Sequence, residues 1–329
     1  MNDFLSDIEQ YNTKRPLTSS LYTDDFSFYP YKEGGTLIVF ESPELRADSP
    51  KRKISRRSLE EHIEYIQENQ IKQAIVIANH LDFLRRCPSL EHISIYPSYT
   101  AQNFDYSPLY DLPNLRSLEC HTKYGFPPNK VTTVDYSRLP NLEGLDLEEQ
   151  GHLNVSGVEA LKVLSIGPRF FKKNDLRGTF QFSHLISLIL CQTRLVSLDG
   201  IEDAANLKRL TLVYNSKMQN ISALESVKDS LVWLEIDACG GIKDYSVLQR
   251  LHCLEYLELG ESAVLPNLSF VNNMPNLKHF VFRGKALDGD ISVLDKVPNV
   301  LLIDRRHYNR KRAEYHYIPP FDRQMFRHI

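Results

Sequence analysis

Several things are scarce in this sequence, and each scarcity removes a class of protein. Its 329 residues hold five cysteines, Cys87, Cys120, Cys191, Cys239 and Cys253, an odd number with no CxxC pair. That excludes a disulfide-built secreted scaffold and a thiolate zinc cluster, and it fits a reducing compartment. No apolar stretch is long enough to span a bilayer, so no membrane role is expected. The opening MNDFLSDIEQYNTKR is acidic and lacks the basic flank and apolar run of a secretion signal, which predicts a cytoplasmic location. Catalytic signatures are missing as well: no GxxxxGK, no GxSxG, no HExxH, and no kinase-like set. The eleven histidines are scattered without metal-ligand spacing. His252-Cys253 directly precedes an apolar repeat position, Leu254, where such residues serve packing or surface. The sequence therefore predicts no catalytic residue, no metal site, no cofactor and no enzyme.

What is abundant is leucine at a fixed spacing. Leu207, Leu210 and Leu212 occupy positions 1, 4 and 6 of a short unit, LKRLTLVYN, and the pattern returns along most of the chain. Earlier copies begin at Leu90, Leu115, Leu142, Leu161 and Leu185, and later ones at Leu231, Leu254 and Leu277. Val300 and Ile303 open a last, incomplete copy. First positions are 25, 27, 19, 24, 22, 24, 23, 23 and 23 residues apart. Residues two apart on a strand share a face, so positions 4 and 6 enter a core while position 5 looks out. One such strand cannot bury its own row, but parallel copies stacked together can. The returning halves carry a three-residue rhythm, as in Ile221-Leu224-Val227 and Tyr245-Leu248-Leu251, which suits short 3₁₀ turns. Several units end in Pro-Asn before the next first position, at 113–114, 140–141, 275–276 and 298–299.

The LxxLxLxxN pattern resembles the leucine-rich repeat, in the short-unit form of bacterial internalin-like proteins and of eukaryotic phosphatase regulatory subunits. The resemblance covers about Ile71 to Asp304. It implies an α/β solenoid, a horseshoe of roughly ten parallel concave strands with 3₁₀ or irregular convex segments. The asparagine expected at position 9 is present at Asn79 and Asn215 but replaced elsewhere, so no regular asparagine ladder is expected there.

Flanking the repeats, FSFYPYKEGGTLIVFE reads as a β-hairpin around Glu33-Gly34-Gly35. Residues 1–57 are expected to form an amino-terminal cap, or else a separate binding arm, with the basic run KRKISRR as a connector or a nucleic-acid patch. Ser58-Leu59-Glu60-Glu61 has the form of a capping box opening a helix to about Glu68. The solenoid is expected over 58–304, beginning with a strand around 71–77 whose outward Ile75 and Ile77 the cap covers. Stretched units around YGFPPNK and GPRFFKKND predict loops, which either contact a partner or carry packing residues such as Phe170 and Phe171. The basic, aromatic segment 305–329 reads as a carboxy-terminal cap or as an RNA-binding tail. Together with KRKISRR it holds twelve of the 39 basic residues and only two acidic ones, so the remainder has 27 basic against 40 acidic.

The register also predicts a binding face. Position 3 runs Trp233, Tyr256, His279 through three successive units, an outward aromatic ridge containing the single tryptophan. Beside it positions 5, 7 and 8 supply Glu119, His121, Asp146, Glu148, Tyr214, Glu235, Asp237, Glu258 and Glu261, two acidic patches. Exposed aromatics anchor interfaces, and flanking charge selects an oppositely charged partner. The expectation is a protein with a basic surface bound on the concave face, as by an immunity protein or inhibitor. Alternatives are an adaptor or phosphatase-regulator-like scaffold, and RNA binding confined to the tail.

Overall fold

The computed structural model describes residues 21–22, 26–29, 36–41, 57–98, 101, 103–120, 130–131, 133–147, 157–168, 173–179 and 182–320. These form two compact units, one ending at Leu161 and one beginning at Lys162. The Gly34-Gly35 turn, most of KRKISRR, the YGFPPN stretch, Phe170 and Phe171, and the segment from Phe321 lie outside the described residues.

In the first unit the strands are β1 (Leu21–Tyr22), β2 (Ser27–Tyr29), β3 (Thr36–Phe40), β4 (Gln73–Ala78), β5 (His92–Pro97), β6 (Asn103–Phe104), β7 (Ser117–Cys120), β8 (Lys130–Val131) and β9 (Gly144–Leu147). The sheet order is β1-β2-β3-β4-β5-β7-β9, and β6 pairs with β8 separately. β2 and β3 are the antiparallel hairpin, and β3 then runs parallel to β4. Leu37 and Val39 pair with Ala74 and Val76 and extend positions 4 and 6 into the hairpin. Ile38 and Phe40 lie beside Ile75 and Ile77 in the same register, so the hairpin joins the sheet edge-on. The helix α1 (Leu59–Glu68) starts with the capping box: Glu61 N donates to Ser58 Oγ at 3.3 Å, and Ser58 N to Glu61 Oε2 at 2.7 Å. Its buried face is His62, Ile63 and Ile66.

The second unit contains β10 (Val163–Ile166), β11 (Ser187–Cys191), β12 (Arg209–Val213), β13 (Trp233–Asp237), β14 (Tyr256–Leu259), β15 (Val264–Leu265), β16 (His279–Phe282), β17 (Lys285–Ala286) and β18 (Asn299–Leu302). Its sheet runs β10-β11-β12-β13-β14-β16-β18, all parallel, and β15 pairs with β17. Leu188, Leu210, Leu234, Leu257 and Phe280 stand side by side at position 4, with Leu190, Leu212, Ile236, Leu259 and Phe282 at position 6, all buried. The three-residue rhythm becomes 3₁₀ helix at Ser222–Val227, Ser246–Arg250, Ser269–Asn273 and Ser292–Lys296.

The last repeat departs from the sequence expectation. Val300 pairs with Phe280 and Leu302 with Phe282, so these are positions 4 and 6, and Val297 takes position 1. Ile303, expected in the core, is 38% exposed, whereas Val297, Val300 and Leu302 are buried. The final step is three residues shorter than the spacing suggested, because β18 needs apolar residues two apart and Val300-Leu302 supplies them where Ile303-Arg305 does not. Position 5 in this strand is therefore Leu301 and not Asp304.

Polar side chains hold the turns. Before each of six 3₁₀ segments an Asp or Asn accepts the backbone N–H of a serine two residues on: Asp105 from Ser107, Asp135 from Ser137, Asn220 from Ser222, Asp244 from Ser246, Asn267 from Ser269, and Asp290 from Ser292, at 2.8–3.1 Å. Such caps satisfy donors that a short helix leaves open. At the start of strands, the asparagine just before position 1 reaches back to the preceding repeat. Asn114 Nδ2 donates to Pro88 O, and Asn141 to Pro113 O, at 2.9 and 3.2 Å; Asn206 donates to Ser183 O and Asn276 to His252 O at 2.7 and 3.3 Å. These are exposed, discontinuous ties in four of the repeats and not a buried asparagine ladder. Position 9 keeps a short piece of it: buried Asn215 accepts from Thr193 N at 2.8 Å and donates to Leu190 O at 2.6 Å.

Candidate functional site

The outward row at position 3 of the second unit is Arg209, Trp233, Tyr256, His279, which strand pairing sets side by side. Trp233 and Tyr256 stack with centroids 3.6 Å apart and planes 3° from parallel. The Arg209 guanidinium lies 5.4 Å from the Trp233 ring, a cation–π distance, and His279 lies 6.2 Å from Tyr256. The expected ridge is therefore present as a stack, but it is not displayed: Trp233 is 3% and Tyr256 2% exposed, and His279 is buried as well. Flat rings at the ~4.8 Å strand spacing close on one another and exclude water. Tyr317, from the segment after the last strand, stands edge-on to His279 at 6.4 Å, and with Leu301 packs on Trp233, Tyr256 and Val281.

The acidic patch of this unit is also changed by residues that the sequence reading passed over. Arg283, at position 7, places Nη2 2.7 Å from Glu258 Oε1 and 2.9 Å from Asp237 Oδ2. Glu258 is 4% exposed, and its Oε2 accepts from the Tyr256 hydroxyl at 2.6 Å. Asp237 and Arg283 are two strands apart, with Gly260 at the same position between them. A Cβ on Gly260 would come 1.9 Å from Asp237 Oδ1, so the absent side chain is what lets the bridge cross. Arg209 is buried, and burial pushes its pKa down to about 10, opposed by the Glu235 carboxylate. Two carboxylates expected to await a basic partner thus already have one inside the chain. The missed signal was Asp, Gly and Arg at position 7 of successive units. His279 is held below its ordinary pKa, first by burial and then by Lys278.

What remains open to solvent is the end of the strands. Tyr214 is 55% exposed, Glu261 is exposed, and Glu235 and Asp237 are half-buried. Tyr214 has φ +56°, the left-handed region, and so do Gln192 and Ala238 at the same position 8 of the neighbouring repeats. Its N–H donates to the Asp237 carbonyl at 3.0 Å, which ties the two residues together across strands. This bend turns position 9 inward, where Thr193, Asn215 and Cys239 are buried.

In the first unit Glu119 and Asp146 are neighbours on β7 and β9. Glu119 is buried and accepts from Ser94 Oγ at 2.5 Å, while Asp146 is half-buried. His121 and Glu148 lie outside the described residues. Position 2 carries ion pairs between adjacent strands, Lys72–Glu91 and Arg116–Glu143 here and Glu255–Lys278 in the second unit, at 2.8–2.9 Å. Among the described residues no group of His, Cys, Asp and Glu could hold a metal ion, and no helix is long and apolar enough to cross a membrane.

Parallel strands in unbroken register, apolar at positions 4 and 6 and joined by 3₁₀ turns, decide the architecture. The fold is that of a leucine-rich-repeat protein. A TLR13–ssRNA13 complex contains a chain similar to this one at 15% identity, with 80% of this chain and 40% of that chain covered and a TM-score of 0.50. The chain thus covers less than half of that neighbour's length. An internalin of Listeria monocytogenes is similar at 16% identity, covering 83% of both chains, with a TM-score of 0.45. A leucine-rich-repeat protein of Leptospira interrogans shares 14% identity over 80% of this chain and 81% of its own, with a TM-score of 0.41. No protein-family model matches the sequence, and no curated protein matches it.

Proposed function

We propose that the chain is a non-enzymatic protein-interaction module whose second unit contacts a partner with a basic surface. The observation that carries the reading is the exposed Tyr214, held in a strained backbone conformation and bonded to the strand that bears Asp237. A large aromatic kept in solvent is an interface anchor in form. On the following strands half-buried Glu235 and exposed Glu261 add accessible carboxylates, which favour a cationic partner and steer its approach. The buried Trp233–Tyr256 stack then serves as the rigid floor behind this rim rather than as the contact itself. Occlusion of a basic surface, as by an immunity protein or inhibitor, is the finer form of the proposal.

The test is capture from native lysate with the wild type and with a Tyr214→Ala, Glu261→Lys variant whose circular dichroism is unchanged. The expected result is a basic protein retained only by the wild type, with an affinity that falls as salt rises. Equal retention by both would dismiss the rim. A turnover activity that copurifies with the chain and is lost on a single substitution would overturn the non-enzymatic reading.

A further inference from the structure

The chain after the last strand is attached to the second unit in two different ways. Up to Asn309 it is built in. Tyr308 is buried and its hydroxyl accepts from Ala286 N at 3.1 Å; His307 Nε2 lies 2.8 Å from Ala286 O; Asn309 Oδ1 accepts from Ile291 N at 2.9 Å. From Arg310 onward the segment's own groups are exposed or half-buried, and its apolar contact with the core is made by the Tyr317 ring on Trp233, Tyr256 and Val281. Arg310 pairs with Asp295 at 3.1 Å, Arg312 N donates to Asp304 Oδ1 at 2.6 Å, and the Tyr315 hydroxyl donates toward Asp295 and Ile291 O at 3.0 and 3.1 Å. Three residues then run along the outer edge of β18. His316 O accepts from Val300 N at 2.7 Å, the Tyr317 ring meets His279, and Ile318 N donates to Asn299 Oδ1 at 3.2 Å.

We propose that residues 310–320 are a detachable strap, and that the place it covers receives an extended partner segment carrying an aromatic residue in the position of Tyr317. The strap itself states the chemistry of that segment. A backbone carbonyl, a ring and a backbone N–H come from three successive residues, and ahead of them the Arg310 guanidinium pairs with Asp295 while the Arg312 N–H meets Asp304. An extended, basic, aromatic-bearing peptide meets the same donors and acceptors, and it adds itself to the edge of a sheet as peptides do in strand addition. Detachment leaves the Tyr308 anchor in place, so the end of the core stays covered while Val300 N–H and the His279 ring become available. Segments held by few buried contacts open locally without global unfolding. The proposal draws on the protein-interaction reading only for the existence of a partner; the strap can be tested without one.

Two measurements on the full chain decide it. In native hydrogen exchange the Val300 amide, bonded to the strap, should exchange at least about tenfold faster than the Ala286 amide, bonded to the Tyr308 anchor. A fluorescent peptide of sequence KRAEYHYIPP should bind a Tyr317→Ala chain at least about tenfold more tightly than the wild type, since the wild-type strap competes in cis. The same peptide with alanine in place of its second tyrosine should not bind. Exchange of Val300 and Ala286 at one common rate would make the segment a fixed end cap and overturn the strap, even if the Tyr317→Ala chain fails to fold. Fast Val300 exchange without peptide binding to a folded Tyr317→Ala chain would overturn the peptide site. Success of both measurements together with failure of lysate capture would count against the basic-partner reading alone.

Discussion

Replacing Arg283 with methionine removes one guanidinium and tests the electrostatic account of the second unit. Arg283 bridges buried Glu258 and half-buried Asp237, at 2.7 and 2.9 Å. Stranding a buried charge by deleting its partner costs roughly 3–5 kcal/mol. An exposed leg of an ion pair is worth about 0–1 kcal/mol, which bounds the Asp237 side. Because the Arg283 side chain is 22% accessible, water relieves part of the loss, and we expect about 2–3 kcal/mol in total. Glu258→Gln in the same background removes the stranded charge and should restore most of that stability, as neutral replacement of buried pairs does. Urea denaturation followed by the fluorescence of Trp233, the single tryptophan, reads this unit directly. The expected midpoint falls for Arg283→Met and recovers in the double variant with an unchanged denaturant slope. Gly260→Ala should reproduce part of the loss by pushing Asp237 aside. If Arg283→Met matches the wild type, or Glu258→Gln gives no rescue, the bridge carries no weight and the carboxylates are held by other means.

Further outcomes follow from single residues. Asn215→Ala strands the Thr193 N–H and the Leu190 carbonyl in the core, which should cost about 2–4 kcal/mol in thermal or urea unfolding. Ala238→Gly relieves a left-handed backbone, φ +52°, and should stabilise by about 0.5–1 kcal/mol after its added chain entropy, raising the melting temperature. Burial pushes the Cys87 and Cys239 thiols up to about 11, so a thiol reagent at pH 8 should label half-buried Cys253 first and reach these two only on unfolding. With folded values above unfolded ones, their contribution to stability is present below the ordinary thiol pKa and lost as pH rises toward about 11, which alkaline denaturation of Cys→Ser variants would register.

The architecture was legible because the core rests on a covalent spacing: positions 4 and 6 must share a face, and the spacing returns through most of the chain. The slip in the final unit shows the limit of that logic. Val297, Val300 and Ile303 offer two overlapping triplets, and the pairing of Val300 and Leu302 with Phe280 and Phe282 separates them. The outward face was legible in placement but not in exposure. Register put Trp233 and Tyr256 next to each other, but the pattern of outward positions does not say that two flat rings will close against each other or that Arg283 will reach across Gly260. Those are side-chain events spanning two strands, and a reading made one repeat at a time passes over them. The Asp/Asn-x-Ser caps were in plain view as six copies of one tripeptide form. They lie in the polar turns, where apolar periodicity carries no signal.

The strand-leading asparagines point in one direction. Each of Asn114, Asn141, Asn206 and Asn276 donates to a carbonyl of the repeat made before it on the ribosome. Each of these turns therefore emerges from the exit tunnel to find the acceptor for its leading asparagine already in place. Chain growth and assembly can proceed in step, with the unfinished array exposing a single growing edge. The Asp/Asn-x-Ser caps, whose bonds close within one repeat, make each unit a self-contained cassette. Duplication or excision of such a cassette changes the length of the array without rewriting its neighbours.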